Sequence, residues 1–359
     1  MTEINERDIA DAVYPNVDVL VIGGGAAGLS AALTLARARR SVLVVDSGEP
    51  RNAPADGVHG FLSREGLAPG ELLRIGRDEI AGYGGRIVSD RVTGVRRAPG
   101  GFVVDTEGGH SYGARRLLVT TGLVDELPDV PGVRERWGRD VLHCPYCHGW
   151  EVRDEPIGIL ATGPAAVHQA LLFRQWSARV TVFLHTLGEL TDEQWEQLAA
   201  RGIAVVDGEV TGLEVEEDRL SGVRLSSGQR IPVRALAVAP RFEARGTVPA
   251  GLGLERVDHP MGVGSYVASD ETGFTGVEGV WAAGNVTDLM AGVMVAAASG
   301  MTAATAINAD LVAADTSAAV AARRSRDVFG PAAEAANCRQ VMGERRHGIE
   351  SVLARDQRQ

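Results

Sequence analysis

Val17-Asp-Val-Leu-Val-Ile22 runs directly into Gly23-Gly24-Gly25-Ala26-Ala27-Gly28, and this junction decides the fold. The valine- and isoleucine-rich run predicts a buried strand. The small apolar run Leu29–Ala38 predicts a helix, and Ser41–Val45 a second strand ending at Asp46. Strand, G-x-G-x-x-G turn, helix, and a strand tipped by an acid eighteen residues beyond the last glycine make a dinucleotide-binding βαβ unit. Each residue type has a reason. Gly23 permits the tight turn, Gly25 lets backbone approach a pyrophosphate, and Gly28 lets helix and strand pack closely. Ala26 and Ala27 open the helix whose N-terminus faces the phosphates. Asp46 can take ribose hydroxyls.

Working outward, a helix is expected over Pro69–Tyr83, then short strands at Arg86–Val88, Val92–Arg96 and Gly101–Thr106. Arg116–Gly122 leads into the proline-rich Leu127–Gly132. A second strand–turn–helix begins at Pro156–Leu160, but Ala161 and Ala166 stand where a nucleotide motif has its first and third glycines. Its next strand, Val180–Leu184, ends in His185-Thr-Leu-Gly-Glu189, with neither an acid nor an arginine at the strand tip. This is a degraded copy of the first unit. Further strands run to Ala235–Pro240. Val280-Trp-Ala-Ala-Gly284-Asn285 precedes a small-residue helix, Ala291–Ile307. The Ala- and Arg-rich tail from Ala313, broken at Gly330-Pro331, predicts short helices.

A chain of 359 residues suggests about two domains. Its net charge of −11 argues against nucleic acid or an anionic membrane surface as partner. All 36 basic residues are arginine, so lysine Schiff-base chemistry and a Walker A loop are excluded. Three cysteines make no secreted disulfide framework. The polar N-terminus has no signal core, and Met290–Ile307 is short and weakly apolar for a bilayer span. These features predict a cytoplasmic protein.

Two of the three cysteines lie in His143-Cys144-Pro-Tyr146-Cys147-His148-Gly149-Trp150-Glu151. The C-x-x-C spacing allows a small disulfide ring suited to reversible exchange. Cys144…Cys147-His148 also matches a c-type haem attachment signature. A structural zinc site would need about four ligands, which Cys338 with His143 or His148 would have to complete; no metal site is expected. Two buried free cysteines are the remaining reading.

Three ordered motifs tie residues 17–310 to a family: Gly23-x-Gly25-x-x-Gly28, Cys144-x-x-Cys147-x-Gly149, and Ala283-Gly284-Asn285. Together they resemble the low-molecular-weight thioredoxin reductases. The resemblance implies an α/β fold of two Rossmann-like (three-layer ββα) dinucleotide-binding domains and a homodimer. Residues 1–125 plus 242–315 would bind FAD, with Gly122, Gly284 and Asn285 joining the first glycine turn and Asp46. Residues 126–241 would be an inserted, degenerate NAD(P)-binding-like domain carrying the C-x-x-C, and 316–359 a helical tail. A C-x-x-C between two dinucleotide folds sets the haem reading aside.

Three positions depart from the reductases. His148 stands where an acid usually follows the second cysteine. Glu189 lies where basic residues would grip the 2′-phosphate of NADPH, which makes NADPH an unlikely partner. Asn285 replaces an Asp but keeps hydrogen-bonding capacity. The combination resembles the FAD-dependent dithiol oxidases of dithiolopyrrolone and epidithiodiketopiperazine antibiotic biosynthesis. It implies that a small-molecule dithiol is closed to its disulfide through Cys144 and Cys147, with His148 as base. Electrons would pass from the Cys147 side to FAD and on to O2, giving H2O2. His143 and His59 are weaker candidates for the base. An NAD(P)H- or other-donor-dependent disulfide reductase is the alternative, and a non-catalytic flavin redox sensor the second.

Overall fold

The computed structural model describes residues 17–325 and 330–342. The opening motif forms β1 (Val17–Ile22), α1 (Ala26–Arg37) and β2 (Val42–Asp46). After α2 (Pro69–Gly82) come β3 (Arg86–Ser89), β4 (Val92–Ala98), β5 (Gly101–Thr106) and β6 (Ser111–Val119). The sheet runs β3-β2-β1-β6-β5-β4. Its β3-β2-β1-β6 part is parallel, whereas β6, β5 and β4 form an antiparallel meander. The parallel strands read as unbroken apolar runs because they are covered on both faces: Val19, Leu20 and Val21 are all fully buried.

The chain leaves this sheet through β7 (Leu123–Glu126) and passes α3 (Val133–Arg136), β8 (Val141–Leu142) and the single turn α4 (Pro145–His148). A second parallel sheet follows, built on β9 (Ile157–Leu160), α5 (Ala165–Phe173), β10 (Val180–Phe183), α6 (Asp192–Ala200) and β11 (Ala204–Val206). The strands β12 (Val210–Glu216), β13 (Arg219–Leu225) and β14 (Arg230–Ile231) make a small antiparallel sheet of their own. β15 (Ala235–Ala237) returns to complete the order β11-β10-β9-β15-β8. Ile159 and Val182 lie in one buried cluster of the second sheet, while Leu160, Phe183 and Leu236 pack with Val210, Leu220 and Val223 in a cluster that joins it to the small one.

The return crossing is β16 (Arg241–Ala244), antiparallel to β7 with Arg241 opposite Glu126 and Phe242 opposite Asp125. The outgoing and returning chains therefore run side by side. α7 (Thr247–Gly251), β17 (Arg256–Asp258) and β18 (Gly264–Val267) follow, and then β19 (Val280–Ala282) inserts beside β6 in the first sheet.

α8 runs from Val293 to Ser325, and α9 from Pro331 to Met342. Of the short helices expected after Ala313, the part up to Ser325 is instead a continuation of α8, while α9 is a separate short helix that begins at the Gly330-Pro331 break. The Ala-rich sequence of α8 contains no proline and, after Gly300, no glycine, so nothing local stops it. At 33 residues it has the length to cross a bilayer, against the expectation of a short segment, with a best-window mean hydropathy of 1.2. Its first half packs on protein: Ala303, Ala304 and Ile307 are fully buried, and a Cβ on Gly300 would stand 2.0 Å from the Ala27 carbonyl oxygen. By compactness the chain divides into one unit up to Ile307 and a second from Asn308.

Candidate active site

The glycine turn is built as a cradle. Gly23 has φ +107°, and a Cβ there would lie 2.4 Å from the Thr120 carbonyl oxygen. A Cβ on Gly28 would stand 1.9 Å from the Gly23 carbonyl oxygen, so this glycine is required by α1 lying against the turn. Gly25 is different: nothing lies within 4 Å of where its Cβ would be. It caps α1 in an extended conformation, with no side-chain cap and no acid in the first turn. The first-turn N–H groups, Ala26 and Ala27 among them, have no intrahelical partner and carry the positive end of the helix dipole. The Gly24 N–H donates to Asp46 Oδ1 at 2.9 Å, and Arg77 pairs with Asp46 Oδ2 at 3.2 Å. A carboxylate with about four acceptor positions retains room for hydroxyl donors after these two bonds.

Beside this turn, Thr120 Oγ1 lies 2.8 Å from the Gly23 carbonyl oxygen, while the hydroxyl of the next residue, Thr121, is buried without a partner. Gly122 takes φ +71°, and Gly284 φ +79° with its N–H donating to Ser299 Oγ at 3.0 Å. Asn285 donates its amide hydrogens to the carbonyls of Asp288 (3.1 Å) and Ala291 (2.9 Å). A carboxylate there would face two carbonyl oxygens, which explains the amide. An uncapped helix end, open space at Gly25, an orphaned Thr121 hydroxyl and an acid at the β2 tip fit a dinucleotide such as FAD.

The cysteines are joined. Cys144 and Cys147 form a disulfide with Cα atoms 5.3 Å apart, and both are half-buried. Cys144 caps α4 from an extended conformation and Pro145 supplies the first helical residue. The N–H groups of Cys147 and His148 both donate to the Cys144 carbonyl at 3.2 Å, which closes the redox pair into a single turn.

His148 follows the second sulfur directly. Both its ring nitrogens are buried and neither has a hydrogen-bond partner. Burial pushes its pKa below the ordinary 6.5, reinforced by His59 and opposed by Glu151 and Asp56. A neutral imidazole with unused acceptor capacity can take a proton from a thiol.

His143 is committed elsewhere. Its Nδ1 lies 3.1 Å from the Val238 carbonyl, its ring meets Phe242 edge-on, and burial also lowers its pKa. Gln169, from α5, donates to the carbonyls of His143 (3.1 Å) and Val238 (3.3 Å), so the chain just before Cys144 is held to the end of β15. His59 reaches the redox segment from the stretch after β2. Its Nδ1 pairs with Glu65 at 2.7 Å and its Nε2 lies 3.6 Å from Glu151. The sequence gives no sign of Gln169 or Glu65, nor of the contact between Glu151 and His59, because only folding brings these groups together. Cys338, on α9, is a free half-buried thiol.

In the second nucleotide fold Ala161 and Ala166 are buried. His185, at the β10 tip, accepts the Val210 N–H on Nδ1 at 3.1 Å. Its side chain is therefore spent on backbone. Among the described residues, no cluster of three or more potential ligands could hold a metal.

A family model for pyridine nucleotide-disulphide oxidoreductases matches residues 17–307, from the start of β1 to the middle of α8. The chain belongs to the pyridine nucleotide-disulphide oxidoreductase family. This makes it an enzyme of the flavin disulfide oxidoreductase type with a thioredoxin reductase-like fold. Among similar members, thioredoxin reductase sirT of Leptosphaeria maculans is 31% identical, the match covering 86% of this chain and 98% of that protein. Thioredoxin reductase tcpT of Claviceps purpurea is also 31% identical, over 75% of this chain and 86% of that one. The crystal structure of HlmI superposes with a TM-score of 0.81 at 49% identity, covering 86% of this chain and 97% of that one. A putative thioredoxin reductase TrxB from Bacillus anthracis reaches 0.77 at 31% identity, over 83% and 99%.

Proposed function

We propose that this enzyme oxidises a small-molecule dithiol to its intramolecular disulfide, with O2 as final acceptor and H2O2 as by-product. The observation that carries the reading is the closed Cys144–Cys147 disulfide followed directly by a buried, unpartnered His148. A substrate thiol gives its proton to His148 and attacks Cys144 Sγ, releasing the Cys147 thiolate. The second substrate thiol, once ionised, attacks the substrate sulfur held on Cys144. The substrate ring closes and the Cys144 thiolate leaves, so two electrons have moved from substrate to enzyme. FAD, held by the Gly23–Gly28 turn, Asp46, Gly122, Gly284 and Asn285, supplies when bound the two-electron acceptor that restores the disulfide and passes the electrons to O2.

In this reading residues up to 125 and from 242 hold the flavin, 126–241 carry the redox pair, and the enzyme works as a homodimer in the cytoplasm. The similarity to HlmI and the resemblance to natural-product dithiol oxidases support it. The names of sirT and tcpT favour the reductase as the alternative. The β10 tip weighs against NADPH: His185 is tied to backbone, Glu189 would face a 2′-phosphate, and no arginine occurs between Val180 and Ala200. Losing two charge-assisted hydrogen bonds of about 1.5–3 kcal/mol each weakens binding roughly a hundredfold or more.

Anaerobic mixing separates the two. A model dithiol should bleach the flavin of the purified holoenzyme, and air should restore the colour with formation of peroxide. Stoichiometric bleaching by micromolar NADPH would assign the protein to the reductases instead. Cys144→Ser should abolish dithiol oxidation. Turnover persisting without either cysteine would end the relay.

A further inference from the structure

The turn that carries the disulfide faces the wrong way for a segment shaped only by folding. The helical backbone of α4 continues through Gly149, which has φ −67° and donates to the Pro145 carbonyl at 2.7 Å. Tyr146 and Trp150 are therefore one turn apart on the same face. They are 73% and 65% exposed, the two most exposed aromatic side chains among the described residues. Pro145 and Gly149 take the buried face instead, and a Cβ on Gly149 would press into Trp176 at 2.9 Å. The turn buries its proline and glycine and shows its aromatics to solvent.

Both aromatics are held in place. Tyr146 meets Trp176 edge-on, with centroids 5.6 Å apart and planes at 87°. The Arg153 guanidinium lies 4.2 Å over the Trp150 ring and donates to the Trp150 carbonyl at 2.7 Å. One face of the indole is thus capped by a cation, and the other is left for a ligand. Tyr146 lies between the two cysteines and Trp150 three residues past Cys147, so both rings stand on the short segment that carries the disulfide. Two aromatic side chains offer roughly 300 Å². That is well short of the ~800 Å² per partner of a stable protein interface, but it matches a small planar molecule.

We propose that Tyr146 and Trp150 form a stacking shelf that selects flat, conjugated dithiols over flexible aliphatic ones. This rests on the dithiol oxidase reading and adds the substrate class. Stacking holds a rigid ring beside the disulfide, with its two sulfurs in position for sequential attack on Cys144 and ring closure. The electron count is unchanged: two thiols become one disulfide, and the enzyme disulfide becomes two thiols.

The test compares 1,8-naphthalenedithiol with 1,3-propanedithiol on the flavin-loaded enzyme. Both close a five-membered ring, but only the first is flat and conjugated. Differences in thiol acidity cancel when each variant is compared with the parent on the same substrate. Trp150→Ala should lower the preference for the flat substrate, as a ratio of kcat/KM values, roughly tenfold, mainly through KM. Trp150→Phe should recover most of it. Calorimetric binding of naphtho[1,8-cd]-1,2-dithiole, the closed product, gives a readout that needs no turnover. Its affinity should fall roughly tenfold in Trp150→Ala. If neither dithiol turns over but this binding still depends on Trp150, the shelf stands and the oxidase reading fails. Equal losses on both substrates, unchanged product binding, or a lower sedimentation coefficient for Trp150→Ala would overturn the shelf; the last would make this face a contact between copies of the chain.

Discussion

Gly25 and Gly28 look alike in sequence and do different work. Gly28 has no space for a Cβ, whereas Gly25 has open space and a backbone any residue can adopt. Gly25→Val is therefore expected to fold with a far-ultraviolet spectrum like the parent's but to purify colourless, because its side chain fills the phosphate space. Gly28→Ala should instead lose soluble folded protein, since a 1.9 Å contact with backbone cannot relax locally. His148→Gln should cost about a hundredfold in kcat/KM for a dithiol. The depressed pKa of His148 keeps it a base to below pH 6.5, so the parent's rate should fall only on that acid side. The variant should lose this limb and follow substrate thiol ionisation alone; a loss of only a fewfold would make His148 a packing residue. At this scale the glycine turn and the C-x-x-C were legible because their chemistry is local. The residues around them were not. Glu151 meets His59 across 92 positions, and no periodicity links such a pair; Gln169 reaches the redox segment from a different helix, 26 residues past His143.

Elements follow the same division between local and distant causes. The order of strands and helices through β1, α1 and β2 was legible from apolar runs and the glycine turn, and the fold class with it. The extent of α8 was not: a run of alanines signals helix without saying where it ends, and the next strong breaker is Gly330-Pro331. That β12–β14 would form a small sheet of their own was also hidden, and a distant ion cluster helps to fix it. Arg136, only 6% exposed, holds both oxygens of Asp140 (2.8 and 2.5 Å) and Asp218 Oδ1 (2.6 Å), while Asp140 accepts the Leu220 N–H at 2.8 Å. The guanidinium thus pins the β12–β13 turn to the segment between α3 and β8. Arg136→Ala leaves Asp140 part-buried without its partner, and breaking such a pair costs about 3 kcal/mol or more. Urea denaturation should show an unfolding free energy lower by about that amount. A change below roughly 0.5 kcal/mol would class the cluster with exposed ion pairs.

The whole molecule carries partly buried histidines whose pKa values burial lowers: His143, His148 and His185. In the unfolded chain each returns to about 6.5, so below that pH the unfolded state binds more protons than the folded one. Their contribution to stability is therefore present above pH 6.5 and lost as the pH falls through the lower folded values. The carboxylates act in a different window. Asp218, held down to about 2 by Arg139 and Arg136, loses its contribution only as the pH falls below 3.8. Between pH 7.5 and 5.5 the histidines dominate, and the melting temperature should drop by several degrees at fixed, saturating FAD; saturation keeps ligand binding from shifting the midpoint on its own. His185→Gln gives the control, because its amide oxygen can replace Nδ1 as acceptor for the Val210 N–H, 3.1 Å away, without titrating. This variant should show a shallower drop than the parent by differential scanning calorimetry. A melting temperature flat from pH 7.5 to 5.5, or an equal drop in parent and variant, would place the acid sensitivity elsewhere than in these imidazoles.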